Sequence, residues 1–366
     1  MKILALVVVS CSIPAWAQTS TSSFEELSSR ATAARERNDL SQAVQLYRQA
    51  LQLNPKWQEG WWFLGSLSYD SDQYAQGRDA LRHFVELNAT AAPGWGLLGL
   101  CEFETGEYTR ALADIQRSLS LGGSHEAQMD QVLRYHEALL LTRTGDFDKA
   151  LQKYAGFVRA GAMNASLFPA IGLAALRTPL LPTDIPAAQQ DLFLTAGKAA
   201  SYTMAGDLKN AEESYRDLLA RFPNAANVHY IYGCFLLASD PARAMEELRL
   251  ELQTTPSNAA AGSILAWMLF RDREFKTALP YAQKAAEQAP GFPMAQLMLG
   301  RLLVETGAVE RGLEHLKTAE KMDPDDVEVH LALATAYSRI GRTQEARHER
   351  QISLNATKEP SPVAQP

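Results

Sequence analysis

Several residue patterns that mark common functions are scarce or missing in this sequence. No run of lysine and arginine is present, and 35 basic residues against 42 acidic ones leave a net charge of −7. A nucleic-acid partner is therefore not expected. Cysteine occurs only three times and never as a Cys-x-x-Cys pair, which argues against a thiolate metal site. Beyond the N-terminus no apolar run is long enough to cross a bilayer, so no integral membrane segment is expected.

The motifs of the main enzyme classes are missing as well. The sequence contains no Gly-Lys-Ser/Thr phosphate loop, no Gly-x-Ser-x-Gly turn and no His-Glu-x-x-His pair. His229 and His330 occupy similar places in different helical stretches, which favours core or surface roles over a shared metal. Carboxylate pairs such as Glu246-Glu247 fall on charged helix faces, where solvation is expected. We predict a protein that is not an enzyme and holds no metal or cofactor.

The N-terminus carries an export signal. Lys2 precedes the apolar residues 3–9, and Ala15-Trp16-Ala17 supplies a small-x-small cleavage site. This three-part pattern is typical of a secretory signal peptide, here residues 1–17. We expect an exported protein, periplasmic or extracellular. A minor alternative is lipoprotein anchoring at Cys11, which follows Val8-Val9-Ser10 in a lipoprotein-like cleavage box.

Helix-ending residues recur at a fixed spacing. The prolines Pro223, Pro256, Pro290 and Pro324 are 33, 34 and 34 residues apart, and each follows an amphipathic stretch. A second recurring residue is glycine, at Gly106, Gly145, Gly206, Gly307 and Gly341, each after an apolar-periodic stretch. Proline cannot continue a helix, and glycine accepts the left-handed conformation that ends one. An acidic residue after three of these glycines suits the start of the next helix. The repeated unit is therefore helix, tight turn, helix, break.

The residues within each unit resemble the tetratricopeptide repeat, a 34-residue helical hairpin. The clearest matches are Trp61 with Leu64-Gly65, Trp95 with Leu98-Gly99, and Leu299-Gly300. Small residues open the second helix at Ala43, Gly77, Ala111, Ala150, Ala211, Ala278, Gly312 and Ala346. Four positions later come Tyr47, Leu81, Ile115, Tyr154, Tyr215 and Leu316. Small residues let the helices of a hairpin approach closely, and the large ones fill the groove to the next hairpin.

The resemblance implies an all-α fold: an α-solenoid of stacked antiparallel helix hairpins, wound as a right-handed superhelix. About nine units begin near Phe24, Gln58, Ala92, Gln131, Leu192, Ala225, Ala259, Pro293 and Val327. We predict a block of four repeats over residues 24–164 and a block of five over 192–356, ending in a charged capping helix. Cys101 and Cys234 fall in different repeats, too far apart for a disulfide.

Residues 165–191 interrupt the repeats. They predict one extra helix over 166–177 and a loop over 178–186, where three prolines bar regular helix. Leu180, Leu181 and Ile185 are apolar, and we expect this loop to pack back on the stack rather than meet a partner. At the ends, residues 18–23 are expected to form a flexible leader and 357–366 a disordered tail.

The resemblance also implies a function, a protein–protein interaction scaffold that binds a partner peptide or helix. In that family, positions 2, 5, 9 and 12 of a unit face the concave groove. They supply the partner-binding candidates Trp62, Tyr69, Phe103, Tyr135, Phe193, Trp267 and Phe270. Each can instead be a core residue between helices. An alternative function is a glycan or cell-wall-fragment binder that stacks these aromatics on sugar rings. A less favoured one is an enzyme near the insertion, which requires a buried polar cluster beside Asp184 and Asp191.

Overall fold

The computed structural model describes residues 15–124 and 126–356, which contain nineteen α-helices, two short 3-10 helices and no β-strand. Most of the predicted signal peptide, Cys11 and the predicted disordered tail lie outside the described residues. The chain divides into two compact units, residues 1–162 with 178–185, and residues 163–177 with 186–366. No helix in the described ranges combines the length and apolarity needed to cross a bilayer.

The first unit is a stack of four helical hairpins. Its helices are α1 (Ala15–Glu36), α2 (Leu40–Leu53), α3 (Gln58–Asp70), α4 (Tyr74–Leu87), α5 (Ala92–Glu104), α6 (Tyr108–Ser120), α7 (Ala127–Thr144) and α8 (Phe147–Arg159). Each odd-numbered helix packs on the even-numbered helix that follows it, and consecutive hairpins pack in turn. A 3-10 turn (Pro182–Asp184) completes the unit.

The second unit begins with an additional helix and continues as five hairpins. It contains α9 (Phe168–Ala175), α10 (Gln190–Met204), α11 (Leu208–Arg221), α12 (Val228–Leu236), α13 (Pro241–Thr254), α14 (Ala259–Arg271), α15 (Phe275–Gln288), α16 (Pro293–Glu305), α17 (Val309–Met322), α18 (Val327–Arg339) and α19 (Thr343–Ala356). A 3-10 turn (Ala187–Gln189) precedes α10. Here each even-numbered helix from α10 to α18 pairs with the next one. The predicted all-α fold of stacked antiparallel hairpins is therefore confirmed, and the described residues form nine such hairpins.

The predicted repeat register agrees closely with the observed helix starts. α3, α5, α14, α16 and α18 begin at the predicted residue, and α7, α10 and α12 begin within four residues of it. The first helix differs most, because α1 is already helical at Ala15, the first described residue, and includes residues 18–23, which we predicted to be a flexible leader. Neither proline nor glycine occurs between Trp16 and Glu36, and a helix already formed extends through serine and threonine at small cost.

Glycine in the first helix accommodates the large residue of the second. A Cβ on Gly65 would lie 2.5 Å from Leu81 Cγ, one on Gly99 2.6 Å from Ile115 Cγ1, and one on Gly300 2.7 Å from Leu316 Cγ. These large residues are fully buried. The Leu-Gly pairs in the sequence therefore mark the points of closest approach within a hairpin, as the repeat pattern predicts.

Aspartates start several of the second helices. The side chains of Asp146, Asp207 and Asp240 accept hydrogen bonds from the backbone N–H of the third residue after them. This confirms the predicted cap at the first two. Glu107 differs, since its carboxylate instead pairs with Arg78 and Arg110. A glutamate side chain is longer and caps a helix less readily than aspartate.

The extra helix of the insertion is α9, and it crosses α10 at two glycines. A Cβ on Gly172 would overlap the carbonyl of Phe193, and one on Gly197 would overlap the carbonyl of Phe168. Backbones this close need glycine on both helices. The observed units therefore differ from the predicted blocks. α9 belongs with the second unit, and residues 178–185 belong with the first.

The proline-rich loop packs inward, as predicted. Leu181 and Ile185 are buried, Leu180 is half-buried, and the Arg143 guanidinium donates to the carbonyl of Pro179. These apolar side chains are therefore part of the core and offer little surface to a partner.

The two described cysteines form no disulfide, as predicted. Burial raises the pKa of the Cys101 thiol to about 12. Because the thiolate is the reactive form, this side chain behaves as a small apolar core residue.

A side chain near the start of several first helices binds the carbonyl six residues earlier. The bonds are Trp61 Nε1 to Pro55 O at 2.8 Å, Trp95 Nε1 to Ala89 O at 2.9 Å, His229 Nε2 to Pro223 O at 3.0 Å, Gln296 Nε2 to Pro290 O at 3.0 Å, and His330 Nε2 to Pro324 O at 2.7 Å. In all but α12 it is the fourth residue of the helix. This recurrent bond fixes the loop between hairpins to the next helix.

The two histidines in this role are hydrogen-bonded on both nitrogens. Nδ1 of His229 lies 2.7 Å from a Glu247 carboxylate oxygen, and Nδ1 of His330 lies 2.7 Å from one of Glu349. The Glu247 bond is the main cause that raises the pKa of His229. Burial lowers the pKa of His330, but the bonds to Glu349 and Pro324 outweigh it, so this pKa is raised too. An imidazole donates from both nitrogens only when protonated.

We therefore expect the stability of the second unit to fall at alkaline pH. A folded-state pKa above the unfolded value of about 6.5 gives a stabilisation present in full below that value and lost as pH rises through the folded pKa. Urea unfolding at several values between pH 6 and pH 9 measures the slope of the unfolding free energy against pH. His330→Gln should reduce it, whereas His348→Gln, an exposed change on α19, should preserve it. An unchanged slope in His330→Gln would contradict the assignment.

Candidate functional site

The first helices of three consecutive hairpins in the first unit line an open cleft. This α3–α7 cleft has a volume of ≈ 430 Å³. Its lining residues are Trp62, Ser66, Tyr69, Asp70, Pro93, Gly96, Leu97, Ser124, Glu126, Met129 and Leu133. Gly96 lets α5 pack closely on its neighbours beneath the cleft, since a Cβ there would meet Leu133 and Ser118, each at 2.9 Å. The arrangement matches the concave surface expected of stacked hairpins.

The floor of the α3–α7 cleft is apolar and its rim is acidic. Trp62, Leu97 and Met129 supply apolar surface, while the exposed carboxylates of Asp70 and Glu126 stand at the edge. No lysine or arginine lines it. Such a cleft favours a ligand that combines an apolar anchor with positive charge.

The structure brings two of the predicted binding residues together. Trp62 and Tyr69, both on α3, line the α3–α7 cleft and are half-buried. The Trp62 ring packs 5.4 Å from that of Phe84, and Tyr69 lies 5.7 Å from Tyr74. Burial raises the pKa of Tyr69, so its hydroxyl stays neutral at physiological pH. Both rings are thus supported from behind, which suits them to act as rigid anchors.

Phe103 and Tyr135 are half-buried and do not line this cleft. Phe103 contacts Tyr108 at 5.9 Å and His136 at 4.8 Å, and Tyr135 contacts Phe157 at 6.2 Å. Tyr69, Phe103 and Phe270 each meet the aromatic residue that begins their own second helix. Part of each ring is therefore packed inside its own hairpin, next to the turn between the two helices.

A second cleft lies on the first helices α14, α16 and α18 of the second unit. This α14–α18 cleft of ≈ 250 Å³ is lined by Phe270, Arg301, Val304, Glu305, Glu328, Leu331, Ala332 and Thr335. The Arg301 guanidinium sits 4.4 Å from the Phe270 ring centre and 2.8 Å from a Glu328 oxygen. Trp267 is half-buried beside Arg271, at 5.4 Å, and is not among the lining residues.

Phe193 is a core residue, and its prediction as a binding residue is corrected. Its side chain is only 3% exposed. The reason is the crossing of α9 and α10, which places the Gly172 backbone against that of Phe193. The repeat pattern contains no counterpart of α9, so repeat positions alone could not show that this face of α10 is covered.

Sequence reasoning missed most of the other lining residues. Ser66, Gly96 and Leu331 lie at groove positions of the repeat and could have been found there, but they are not aromatic. Met129 lies in the extra turn at the start of α7, which begins four residues before the predicted start, and Glu126 is the residue just before that turn. No sequence pattern marks Arg301 as a lining residue. Its side chain is held in the cleft by contacts with Phe270 and Glu328.

The groups that suggest chemistry are held in structural bonds. Glu320, His330 and Glu349 offer possible ligand atoms within 4.8 Å of one another. Both nitrogens of His330, however, are already bonded to oxygen acceptors. Asp184 and Asp191 are exposed, and Asp191 pairs with Arg221. The buried polar cluster that an enzyme at the insertion requires is therefore not formed at either aspartate.

Comparison with known proteins gives a family and several similar structures. A family model described as "Tetratricopeptide repeat" matches residues 64–126, 197–259 and 297–349. No curated protein matches the sequence. Among solved structures, YrrB, described as a TPR protein with an unusual peptide-binding site, is 19% identical; the match covers 44% of this chain and 84% of YrrB, with a TM-score of 0.38.

Two structures of MamA are similar to this chain to the same degree. MamA from Desulfovibrio magneticus RS-1 is 20% identical over 46% of this chain and 97% of that one, with a TM-score of 0.41. MamA AMB-1 is 22% identical over 44% of this chain and 97% of that one, with a TM-score of 0.39.

Proposed function

Because this chain is a tetratricopeptide-repeat protein, we propose that it is a non-catalytic interaction scaffold that binds a segment of a partner protein in the α3–α7 cleft. Stacked hairpins of this kind present extended surfaces for protein partners. The observation that carries the proposal is the cleft itself: three first helices place Trp62 and Tyr69 beside an apolar floor. Its volume of ≈ 430 Å³ accommodates one or two large side chains.

The charge of the cleft defines the ligand further. Asp70 and Glu126 stand on the rim, and the described lining residues include no lysine or arginine, so the favoured segment carries a leucine or aromatic anchor flanked by lysine or arginine. The carboxylates steer and orient such a segment, whereas the apolar anchor supplies most of the affinity.

Replacing Trp62 by alanine tests the site. We expect Trp62→Ala to weaken binding of a short fluorescent peptide with a leucine anchor and flanking lysines by about 2 kcal/mol, roughly thirtyfold, because a supported aromatic anchor is lost. Fluorescence anisotropy measures the affinity. The same peptide with flanking glutamates should bind more weakly to the unaltered protein.

The matched control is Trp267→Ala. It removes an equally large aromatic side chain from a first helix that lies outside the α3–α7 cleft. Equal losses in both variants, with circular dichroism unchanged, would argue against this cleft. Binding of purified cell-wall fragments without any peptide binding would favour the glycan alternative.

We also propose that the protein acts outside the cytoplasm, in the periplasm or cell envelope. The support is the pattern of residues 1–17, with Lys2, the apolar residues 3–9 and Ala15-Trp16-Ala17. N-terminal sequencing of the protein from fractionated bacterial cells tests this. A mature chain beginning at Gln18 is expected, and a cytoplasmic chain that retains Lys2 would contradict export.

A further inference from the structure

One hairpin of the second unit lacks the side chain that binds the preceding loop elsewhere. The fourth residue of α14 is Gly262, whereas α3, α5, α16 and α18 carry Trp61, Trp95, Gln296 and His330 at that position. Those side chains occupy the space between the preceding loop and the second helix of their own hairpin. In the α14 hairpin this space is therefore left open.

The open space is a cleft on the second helices. This Gly262 cleft, of ≈ 270 Å³, is lined by Arg249, Leu252, Gln253, Pro256, Asn258, Gly262, Tyr281, Lys284, Ala285 and Gln288. Most of these residues lie on α13 and α15, whereas the α14–α18 cleft is lined by first helices. A Cβ built on Gly262 meets its nearest neighbours, Ala285 Cβ and Tyr281 O, at an ordinary 3.4 Å. The cleft is thus reached directly from the α14 backbone.

The loop carbonyl that a tryptophan binds in other hairpins is present here too. Pro256 lies six residues before Gly262, as Pro55 does before Trp61 and Ala89 before Trp95. Its carbonyl accepts one hydrogen bond, from Nε2 of the exposed Gln288 at 3.2 Å. A carbonyl oxygen has two lone pairs, so an indole N–H from outside can bind it as well.

The residue that covers the tryptophan ring in other hairpins is also present. His83 lies 4.5 Å from the Trp61 ring, and Arg117 lies 4.7 Å from the Trp95 ring. Each comes 22 residues after its tryptophan. Lys284 comes 22 residues after Gly262 and lines the cleft. The hairpin therefore keeps the loop carbonyl at the place where Trp61 and Trp95 bind one, and a cation at the position from which Arg117 covers the Trp95 ring, without its own tryptophan.

The charge around the cleft is positive. Arg249 and Lys284 are exposed lining residues on α13 and α15, and no carboxylate lines the cleft. Among the described residues neither forms an ion pair. Two such cations at the mouth of a mostly apolar cleft complement carboxylates on a ligand.

We propose that the Gly262 cleft docks an acidic segment of a partner protein by taking up one of its tryptophan side chains. The indole occupies the place that Trp61 and Trp95 fill in their own hairpins, donates its N–H to the Pro256 carbonyl and lies under the Lys284 ammonium group. Flanking carboxylates of the segment pair with Arg249 and Lys284. This site is separate from the α3–α7 cleft and favours the opposite ligand charge, so it does not depend on the function proposed above.

The test is a variant in which a tryptophan side chain of the protein itself fills the Gly262 cleft. The probe is the peptide acetyl-Glu-Glu-Trp-Glu-Glu-amide with a fluorinated tryptophan, and fluorine NMR measures its binding to the full chain. Gly262→Trp supplies the missing side chain and should lower the affinity by roughly tenfold or more, because the internal indole excludes the external one. Gly156→Trp is the matched control. It adds a tryptophan at an exposed position of α8 that has no neighbour within 4 Å, and it should bind the probe like the unaltered protein.

A second pair of variants tests the charge. Arg249→Glu with Lys284→Glu, both exposed changes, should lower the affinity by a similar factor even if Gly262→Trp folds poorly. The same peptide with lysines in place of glutamates should bind the Gly262 cleft more weakly. The proposal is overturned if the acidic probe does not bind the unaltered protein. It is also overturned if binding survives Gly262→Trp in a folded variant, or survives the charge reversal.

Discussion

Replacing Gly197 by alanine should destabilise the second unit by about 3 kcal/mol or more, which places it among the most damaging single-methyl additions in the chain. The added Cβ would overlap the carbonyl of Phe168, and the Gly172 amide nitrogen lies 2.9 Å from it. Both clashing atoms belong to the backbone, so a change of side-chain rotamer cannot relieve the overlap. Relief requires α9 to move off α10, which exposes Ile171 and Leu173, now fully buried. Urea unfolding monitored by circular dichroism measures the loss.

Gly156→Ala is the control for this substitution. Gly156 also lies inside a helix, but nothing stands within 4 Å of a Cβ there. Alanine is the better helix former, so this variant should gain about 0.5–1 kcal/mol. If Gly197→Ala unfolds at the same urea concentration as the unaltered protein, the close crossing of α9 and α10 is wrong.

Replacing Glu251 by alanine should cost about 3 kcal/mol. Glu251 is 0% exposed. Its carboxylate accepts hydrogen bonds from the backbone N–H of Asn227 at 2.9 Å, from that of Tyr230 at 3.3 Å and from the Asn258 amide at 3.0 Å. The first two belong to the start of α12, where Asn227 makes no side-chain cap. Alanine leaves these donors without their acceptor, and an unmade hydrogen bond in the interior is costly.

The loss should show as weaker protection of α12 and α13 amides in hydrogen exchange, together with a lower urea midpoint. Glu251→Gln keeps one carbonyl oxygen and should lose only part of the stability. Glu246→Ala changes an exposed carboxylate on the same helix and should be nearly neutral. An Ala variant as stable as Glu246→Ala would show that the carboxylate does not hold the start of α12.

Glu251 also belongs to a polar network that joins α9 to later hairpins of the second unit. Asn227 donates through its side chain to the carbonyl of Leu176 at 2.9 Å, just beyond the end of α9, and accepts from Asn258 at 2.8 Å. Glu251 binds both asparagines. One buried polar network thus ties α9 to the starts of α12 and α14. Such a network contributes to stability only because every member has a partner.

The same helix shows where sequence reasoning stops. Glu246 and Glu247 are adjacent, and the sequence predicts a solvated carboxylate for both. The structure leaves Glu246 exposed but buries Glu247 against His229, which stands where other units have tryptophan. Nothing local separates the two glutamates. The difference comes from the α12 side chain that faces one and not the other.

The two clefts on the first helices show the same limit. Trp62 and Phe270 were found because the repeat assigns groove positions, and both line clefts. Phe193 has an equivalent position but lies under α9. Repeat position fixes the direction of a side chain relative to its own hairpin, and only the neighbouring elements decide whether solvent reaches it.

What the sequence determined by itself is the repeated hairpin. Its evidence is local: prolines and glycines end helices, aspartates begin them, and small residues meet large ones at fixed spacings, all within 34 residues. The tertiary structure decided what happens where the repeat is broken or changed. It placed α9 against Phe193, buried Glu251 beneath the start of α12, and left a cleft at Gly262. The first two outcomes depend on contacts between residues distant in the chain, which leave no periodic signal. The missing side chain at Gly262 can be seen in the repeat, but only the packing of α13 and α15 around it makes a cleft.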